Sequence, residues 1–182
     1  MIRAFAAIAV PEPLAGTLAT AQVGLEAGNP VPRENFHITL AFLGEHPTPV
    51  IEDAASALSL IGGPAFDVLI DGLDTFGTAP RLLFADVAAS PELSALRKRV
   101  RRAVGEAGIE LAHERFHPHV TLARFGSGLR GEDAARLQAH IARRYGMVKG
   151  TFRASGFTLF ESRLGRSGPI YTSLMDFPLQ AG

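Results

Sequence analysis

Apolar and polar residues follow two different spacings along this chain. Alternation of apolar and polar positions predicts half-buried strands, and apolar residues three or four positions apart predict amphipathic helices. The two spacings take turns along the sequence, so we predict an α+β protein. The predicted strands cover residues 3–10, 36–43, 66–76, 81–87, 118–125 and 152–162, and the predicted helices cover 12–27, 50–61, 91–108 and 131–144.

The same order of elements occurs twice. Each half reads strand, helix, strand, helix, strand, and Gly72 and Gly156 occupy corresponding places 84 positions apart. A lobe of half this length is too small to bury its sheet alone. We therefore predict a single domain over residues 1–182, made of two lobes related by a pseudo-twofold axis and corresponding to approximate halves 1–78 and 79–182. Each lobe should carry a mainly antiparallel sheet with helices outside, and a cleft should lie between the lobes.

Each half also contains one copy of a four-residue pattern. The copies are His37-Ile38-Thr39-Leu40 and His119-Val120-Thr121-Leu122, 82 positions apart. Because successive strand residues face opposite sides, His37 and Thr39 should share one face. His119 and Thr121 should do the same, so the two pairs can meet across the cleft. The opposite, inward face of the first strand should hold Phe36, Ile38, Leu40 and Phe42.

Two histidines and two threonines facing one cleft suit phosphoryl chemistry. The unperturbed pKa of histidine is about 6.5, so one ring can act as base while the other acts as acid near neutral pH. Hydroxyl groups can hold the non-bridging oxygens of a phosphate. Arg124, Arg33 and Arg163 could add charge-assisted contacts. Arg124 shares strand parity with the inward Val120, so it reaches the cleft only if the strand bends.

The duplicated tetrads resemble a known family. Within "NFHITLAFLGE" and "RFHPHVTLARF", with "APRLLFADV" between them and "LFES" near the end, they are similar to the two-histidine (2H) phosphoesterase superfamily. Within that superfamily, the chain resembles the RNA 2',3'-cyclic phosphodiesterases, also called 2'-5' RNA ligases. The resemblance covers nearly the whole chain and implies a bilobal α+β fold with a central cleft.

The resemblance also implies a reaction and its residues. A terminal 2',3'-cyclic phosphate of RNA, or of a small nucleotide, would be hydrolysed to a 2'-phosphomonoester without cofactor or metal. His37 would be the proton donor and His119 the proton acceptor, while Thr39 and Thr121 would bind the phosphate; Arg124 is added as a phosphate-binding candidate because it lies next to the second tetrad. The reverse reaction, with an RNA 5'-hydroxyl in place of water, would form a 2'-5' linkage. Phe42 and Phe84 could stack a base; Phe84 stands where family members often carry tryptophan.

Two alternatives come from other functional classes. The segment "HERFH", residues 113–117, matches the zinc-hydrolase pattern that places two histidines on one face of a helix. Pro118 follows directly and disfavours helical geometry at His117, so we interpret the match as accidental. The other alternative is a non-catalytic module that binds RNA ends on the same lobes. Turnover of a cyclic-phosphate RNA in the presence of a chelator distinguishes the three hypotheses.

Composition narrows the function further. Eighteen basic residues balance eighteen acidic ones, which disfavours a protein that coats nucleic acid without sequence preference. No cysteine is present, which excludes disulfides and a thiolate nucleophile. Pro11 interrupts the apolar start too early for a secretory signal. We therefore expect a cytoplasmic monomer that does not contact a membrane, and we assign the basic stretch 96–102 mainly to a solvated helix face.

Overall fold

The computed structural model describes residues 1–165 and 168–180 of the chain. Within these residues, nine strands form an antiparallel sheet, and four α-helices pack against it. The strands are β1 (Ile2–Ala9), β2 (Asn29–Pro30), β3 (His37–His46), β4 (Phe66–Thr75), β5 (Leu82–Val87), β6 (His119–Arg124), β7 (Lys149–Ala154), β8 (Gly156–Gly165) and β9 (Gly168–Pro178). The helices are α1 (Glu12–Ala19), α2 (Thr48–Ser59), α3 (Pro91–Glu106) and α4 (Gly131–Arg144).

The strand order divides the sheet into two lobes. The order is β7-β4-β5-β6-β3-β1-β8-β9, with β2 paired to β6. We call β4 to β7 the His119 lobe, and we call β1, β3, β8 and β9 the His37 lobe. The lobes join where β3 pairs with β6 at Ile38 and Val120. The predicted bilobal α+β fold is confirmed, and the two histidine strands are its two central strands.

The chain exchanges strands between the lobes. β4 belongs to the first half of the sequence but pairs with β5 and β7 in the His119 lobe. In return, β8 from the second half pairs with β1 in the His37 lobe. The strand pairing therefore crosses the predicted division at residues 78 and 79. Both lobes share one continuous apolar core.

Most predicted elements differ from the structure by a few residues at their ends, and two differ more. The strand predicted over 152–162 is interrupted at Ser155, where the chain passes from β7 in one lobe to β8 in the other. The helix predicted over 12–27 ends at Ala19 and continues only as a short 3₁₀ turn to Gln22. Gly24 then takes a φ of 75°, a left-handed conformation that stops a helix.

The longest helix, α3, begins as the sequence predicts. The Ser90 hydroxyl accepts a hydrogen bond from the Leu93 amide at 3.1 Å, and Pro91 occupies the first turn. Its buried side, which includes Leu96 and Val100, packs toward α2 and β3. Each helix in the described part of the chain is too short or too polar to cross a bilayer.

Candidate active site

The strand register brings the two tetrads together. Ile38 lies opposite Val120 in an antiparallel pair, so His37 lies across from Thr121 and Thr39 across from His119. Directly opposed residues of such a pair have Cβ atoms only about 4.5–5.5 Å apart. Ile38 and Val120 are fully buried, whereas the four polar side chains are half-buried on the other face. The geometry therefore creates one cluster of two imidazoles and two hydroxyls.

The two imidazoles are held in the same way. His37 Nδ1 lies 2.7 Å from the Asn35 carbonyl oxygen, and His119 Nδ1 lies 2.7 Å from the His117 carbonyl oxygen. A carbonyl only accepts, so each Nδ1 must carry the hydrogen. Each Nε2 is then free to accept a proton when the ring is neutral, or to donate one when it is charged.

A β-bulge lies at the last residue of each tetrad and changes which side chains reach the groove. The pairing of β1 with β3 skips Leu40, and the pairing of β5 with β6 skips Leu122. The extra residue reverses the alternation. Phe42 is consequently 48% exposed, which corrects its predicted place on the inward face. Arg124 is exposed as well, so the bend that its sequence position requires is present.

Two connected cavities form the groove. The basic arm has a volume of about 600 Å³ and is lined by Arg3, Phe5, His37, Thr39, Phe42, Arg124, Ser162, Arg163, Leu164, Pro169 and Tyr171. The aromatic arm has a volume of about 380 Å³ and is lined by Thr39, Phe42, Phe76, Arg97, Glu114, Arg115, Phe116, His117 and His119. Thr39 and Phe42 line both arms. One continuous groove thus runs from His37 to His119.

The remaining predicted polar residues divide between the groove and its surroundings. Arg163 lines the basic arm, as the sequence suggested. Thr121 lies beside His37 by register but lines neither arm. Arg33 is paired with Glu12 at 3.3 Å, and it also lies outside the groove lining.

Aromatic rings support both histidines. The ring of His37 lies 4.8 Å from Phe5 and 5.4 Å from Tyr171, measured between centroids. The ring of His119 lies 5.1 Å from Phe84 and 5.4 Å from Phe76. These contacts limit how far either imidazole can rotate.

Phe84 is a supporting residue rather than a stacking platform. It is fully buried, and its ring lies 4.4 Å from Phe76. A buried ring cannot offer a face to a base, so its predicted stacking role is wrong. Phe76 is 41% exposed and Phe42 is 48% exposed, so these two rings remain open to the groove.

The surroundings change the acidity of both histidines. Burial lowers the pKa of His37 to about 4, and the charges of Arg124 and His119 act in the same direction. Burial also lowers the pKa of His119, with His117 and Arg124 contributing, while the Asp86 carboxylate partly offsets the decrease. In the ligand-free protein, electrostatics therefore favour a proton on His119 over one on His37.

The "HERFH" segment is not a helical metal site. Residues 113–117 lie in a loop before β6. Glu114 accepts a hydrogen bond from Arg97 at 3.3 Å, and His117 Nε2 lies 2.9 Å from an Asp86 carboxylate oxygen. The helical arrangement that defines the zinc-hydrolase motif is absent from this loop. His117 instead lines the aromatic arm, next to His119.

Several groove residues escaped sequence reasoning. Arg3, Phe5 and Tyr171 reach His37 only because β1, β3 and the β8–β9 hairpin are neighbours in the sheet. Their sequence positions carry no signal for this proximity. Phe76 does carry one, because it directly follows β4 and corresponds to Phe160 in the duplicated pattern.

Comparisons with known proteins agree with this architecture. The model of the 2'-5' RNA ligase superfamily matches residues 10–165. An RNA 2',3'-cyclic phosphodiesterase of Aeropyrum pernix is 35% identical over 147 residues, which cover 79% of this chain and 81% of the relative. Another, from Thermus thermophilus, is 32% identical and covers 98% of this chain and 91% of its own length.

Solved structures show the same fold. A crystal structure of a Thermus thermophilus protein superposes with a TM-score of 0.79 at 27% identity and covers 99% of both chains. The apo structure of LigT from Escherichia coli superposes with a TM-score of 0.78 at 24% identity and covers 98% of both chains. Together with the family match and the two relatives above 30% identity, this establishes that the chain belongs to the RNA 2',3'-cyclic phosphodiesterase (2'-5' RNA ligase) family of 2H phosphoesterases.

Proposed function

We propose that this enzyme hydrolyses the 2',3'-cyclic phosphate of RNA 3' ends or small nucleotides to a 2'-phosphomonoester. The observation that carries the proposal is the matched pair of Nδ1 anchors, which leave two Nε2 atoms free on one groove. Family membership supports the same reaction, because the relatives from Aeropyrum pernix and Thermus thermophilus bear this activity in their names.

The proposed reaction is an in-line displacement at phosphorus. Neutral His119 removes a proton from water while the water oxygen forms a bond to phosphorus. Protonated His37 gives its proton to the departing 3' oxygen as the bond from phosphorus to that oxygen breaks. Thr39, Thr121 and Arg124 hold the non-bridging oxygens, where hydrogen-bond donors stabilise the charge of the transition state. Two imidazoles supply all the proton transfers, so the proposed chemistry requires neither metal nor cofactor.

Substrate binding must protonate His37 if His37 is to act as the acid and His119 as the base. In the ligand-free protein, the low pKa of His37 leaves its ring neutral at pH 7. A bound phosphodiester anion stabilises an adjacent imidazolium and raises its pKa. The anion also offsets the positive field of Arg124, which lowers the pKa of both rings.

Ligation uses the same groups with a different nucleophile. An RNA 5'-hydroxyl takes the place of water and attacks the cyclic phosphate. His119 removes the proton of that hydroxyl, the bond from phosphorus to the 3' oxygen breaks, and His37 gives its proton to that oxygen. The product is a 2'-5' phosphodiester with a free 3'-hydroxyl. Hydrolysis and ligation therefore share one site in this proposal.

The test is turnover of a short RNA that ends in a 2',3'-cyclic phosphate, with a chelator present. We expect cleavage to persist and the product to carry a 2'-phosphate. Because each acid or base is typically worth about 10² to 10⁴ in rate, His37→Ala and His119→Ala should each lose roughly that factor. His113→Ala, at an exposed loop position, is the matched control and should retain the rate.

The alternatives give different results in the same assay. A zinc hydrolase that used His113, Glu114 and His117 would lose activity with the chelator and in His113→Ala. A module that only binds RNA ends would retain the RNA without converting it. A 3'-phosphate product would contradict the proposal, because the departing oxygen would then be the 2' oxygen.

A further inference from the structure

The two arms of the groove differ in charge. Three arginines, Arg3, Arg124 and Arg163, line the basic arm, and no carboxylate is among its described lining residues. In the aromatic arm, Glu114 lies beside Arg97 at 3.3 Å and also within 4.0 Å of Arg101. A positive groove attracts phosphate groups, whereas the paired charges of the aromatic arm largely cancel. The basic arm can therefore hold more negative charge than one scissile phosphate carries.

The three arginines of the basic arm have different places. Arg124 lines the basic arm together with His37 and follows His119 in β6, which suits it to the reacting phosphate. Arg3 lies over the ring of Phe42, 4.8 Å from its centroid. Arg163 is held by Glu161 at 2.9 Å, and the Glu161 side chain is only 12% exposed. Arg3 and Arg163 are thus oriented by neighbouring groups, and the Glu161 carboxylate offsets part of the charge of Arg163.

Stereochemistry decides which part of the substrate enters this arm. In an in-line displacement, the departing 3' oxygen points away from the attacking water, which places it at His37 if water lies at His119. The 3' oxygen is bonded to C3', and C3' is bonded to C4', which carries the 5' carbon. The 5' side of the nucleotide must therefore leave phosphorus on the His37 side. The basic arm is the part of the groove that His37 lines.

We propose that Arg3 and Arg163 bind the phosphate on the 5' side of the terminal nucleotide, so that the RNA strand carrying the cyclic phosphate leaves through the basic arm. This inference rests on the proposed function and on its assignment of His37 as the proton donor. Guanidinium groups bind phosphate oxygens with paired, charge-assisted hydrogen bonds. The preferred substrates are then nucleotides with a 5' phosphate, including RNA ends, rather than free nucleosides bearing only the cyclic phosphate.

The test compares two substrates that differ by one group. They are adenosine 2',3'-cyclic phosphate and the same molecule with an added 5'-phosphate. We expect kcat/KM of the wild-type enzyme to be about tenfold higher or more for the second substrate, and tenfold corresponds to 1.4 kcal/mol. In the Arg3→Gln/Arg163→Gln variant, the ratio of the two kcat/KM values should fall toward one. Arg115→Gln, in the aromatic arm, is the matched control and should keep the wild-type ratio.

Each other outcome overturns the inference. Three results for the ratio of the two kcat/KM values would place the 5' side elsewhere. They are a ratio of one in the wild type, a ratio that persists in the double variant, and a ratio lost only in Arg115→Gln. In these three cases both substrates still turn over, so the proposed function stands. Absence of turnover for both substrates would overturn the proposed function together with this inference. Thermal unfolding checks that the double variant is folded, and the single Arg3→Gln variant provides the same ratio if it is not.

Discussion

At the residue scale, the imidazole of each tetrad is held by a backbone carbonyl. The tetrads identified His37 and His119 from sequence, because their paired pattern on predicted strands is specific. The carbonyl acceptors of Asn35 and His117 could not be predicted, since every residue has a carbonyl and only the fold decides which one lies near a ring. The burial of Phe84 could not be predicted from sequence either, because its packing against Phe76 is also decided by the fold.

Leaving-group chemistry tests the acid role of His37. A diester that releases p-nitrophenolate needs little protonation of its departing oxygen, so loss of the general acid should matter less. We expect His37→Ala to lose about 10² to 10⁴ in rate on the cyclic phosphate but much less on bis(p-nitrophenyl) phosphate. His119→Ala should be slow on both substrates, because water still needs a base. The reverse pattern, with His119→Ala selectively rescued, would exchange the two roles.

The low pKa of His37 should also make stability depend on pH. The pKa is about 4 in the folded protein against an ordinary 6.5, so the unfolded chain binds the proton first as pH falls. Neutral His37 therefore makes its full contribution to the free energy of unfolding above pH 6.5. This contribution, on the order of 3 kcal/mol, is lost as the pH falls from 6.5 to 4. Urea unfolding at a series of pH values measures this loss.

The matched variants separate His37 from other titrating groups. His37→Asn keeps a donor but does not titrate, so its free energy of unfolding should decrease less between pH 6.5 and 4 than that of the wild type. His113→Asn should follow the wild type. Equal pH dependence in wild type and His37→Asn would show that the folded-state pKa of His37 is not lowered.

At the scale of single elements, β-bulges complete the site. The alternation of apolar and polar residues predicted both histidine strands. The bulge in β6 leaves a mark in that alternation, because the polar Arg124 falls at an inward position, whereas the bulge in β3 leaves none, because Phe42 is apolar. The skipped residues Leu40 and Leu122 are 82 positions apart, like the histidines, so the bulges occupy corresponding places in the two tetrads. Phe42 and Arg124 face the groove for this reason, and a strictly alternating strand would have turned both inward.

The bulge in β6 is fixed by a side chain from the segment after α1. Leu122 has no partner residue in β5, and its carbonyl accepts hydrogen bonds from the Val31 amide at 2.8 Å and from Gln22 Nε2 at 2.7 Å. Gln22 Nε2 also donates to the Val31 carbonyl at 2.7 Å. Gln22 therefore connects the bulge, two residues before Arg124 in β6, to Val31, which directly follows β2.

Replacing Gln22 should affect the enzyme through Arg124. Gln22→Met keeps the size of the side chain but removes the donor, so the free energy of unfolding should fall by about 1 kcal/mol. The kcat/KM for the cyclic phosphate should fall as well. If Gln22 positions Arg124, the losses in Gln22→Met and Arg124→Gln should not add in the double variant, with a coupling of about 0.5–3 kcal/mol. Additive losses would show that Gln22 contributes only to stability.

At the scale of the whole molecule, each lobe contains strands from both halves of the sequence. The sequence predicts a duplication because both halves keep the same order of elements. The exchange of strands could not be predicted from sequence. An antiparallel strand can pair with a strand of either lobe, and only the tertiary arrangement selects one. The break at Ser155, which sends β7 and β8 to different lobes, lies inside a single predicted strand for the same reason.

The exchange predicts how fragments behave. A fragment of residues 1–78 contains β4 without β5 and β7, and β1 without β8, so neither sheet half is complete. We expect fragments 1–78 and 79–182 each to lack the dispersed amide spectrum of a folded protein when expressed alone. Co-expression of both fragments should restore a folded complex. A cooperatively folded fragment 1–78 would show that the lobes do not depend on the exchange.

The central claim is that both imidazoles act on one phosphorus atom, and a crystal structure with a nucleoside 2'-phosphate product tests it most directly. We expect Nε2 of His37 and Nε2 of His119 each to lie about 2.6–3.2 Å from an oxygen of that single phosphate, or to reach it through one water. A phosphate that contacts only one of the two rings, or that binds outside the groove, would contradict the account.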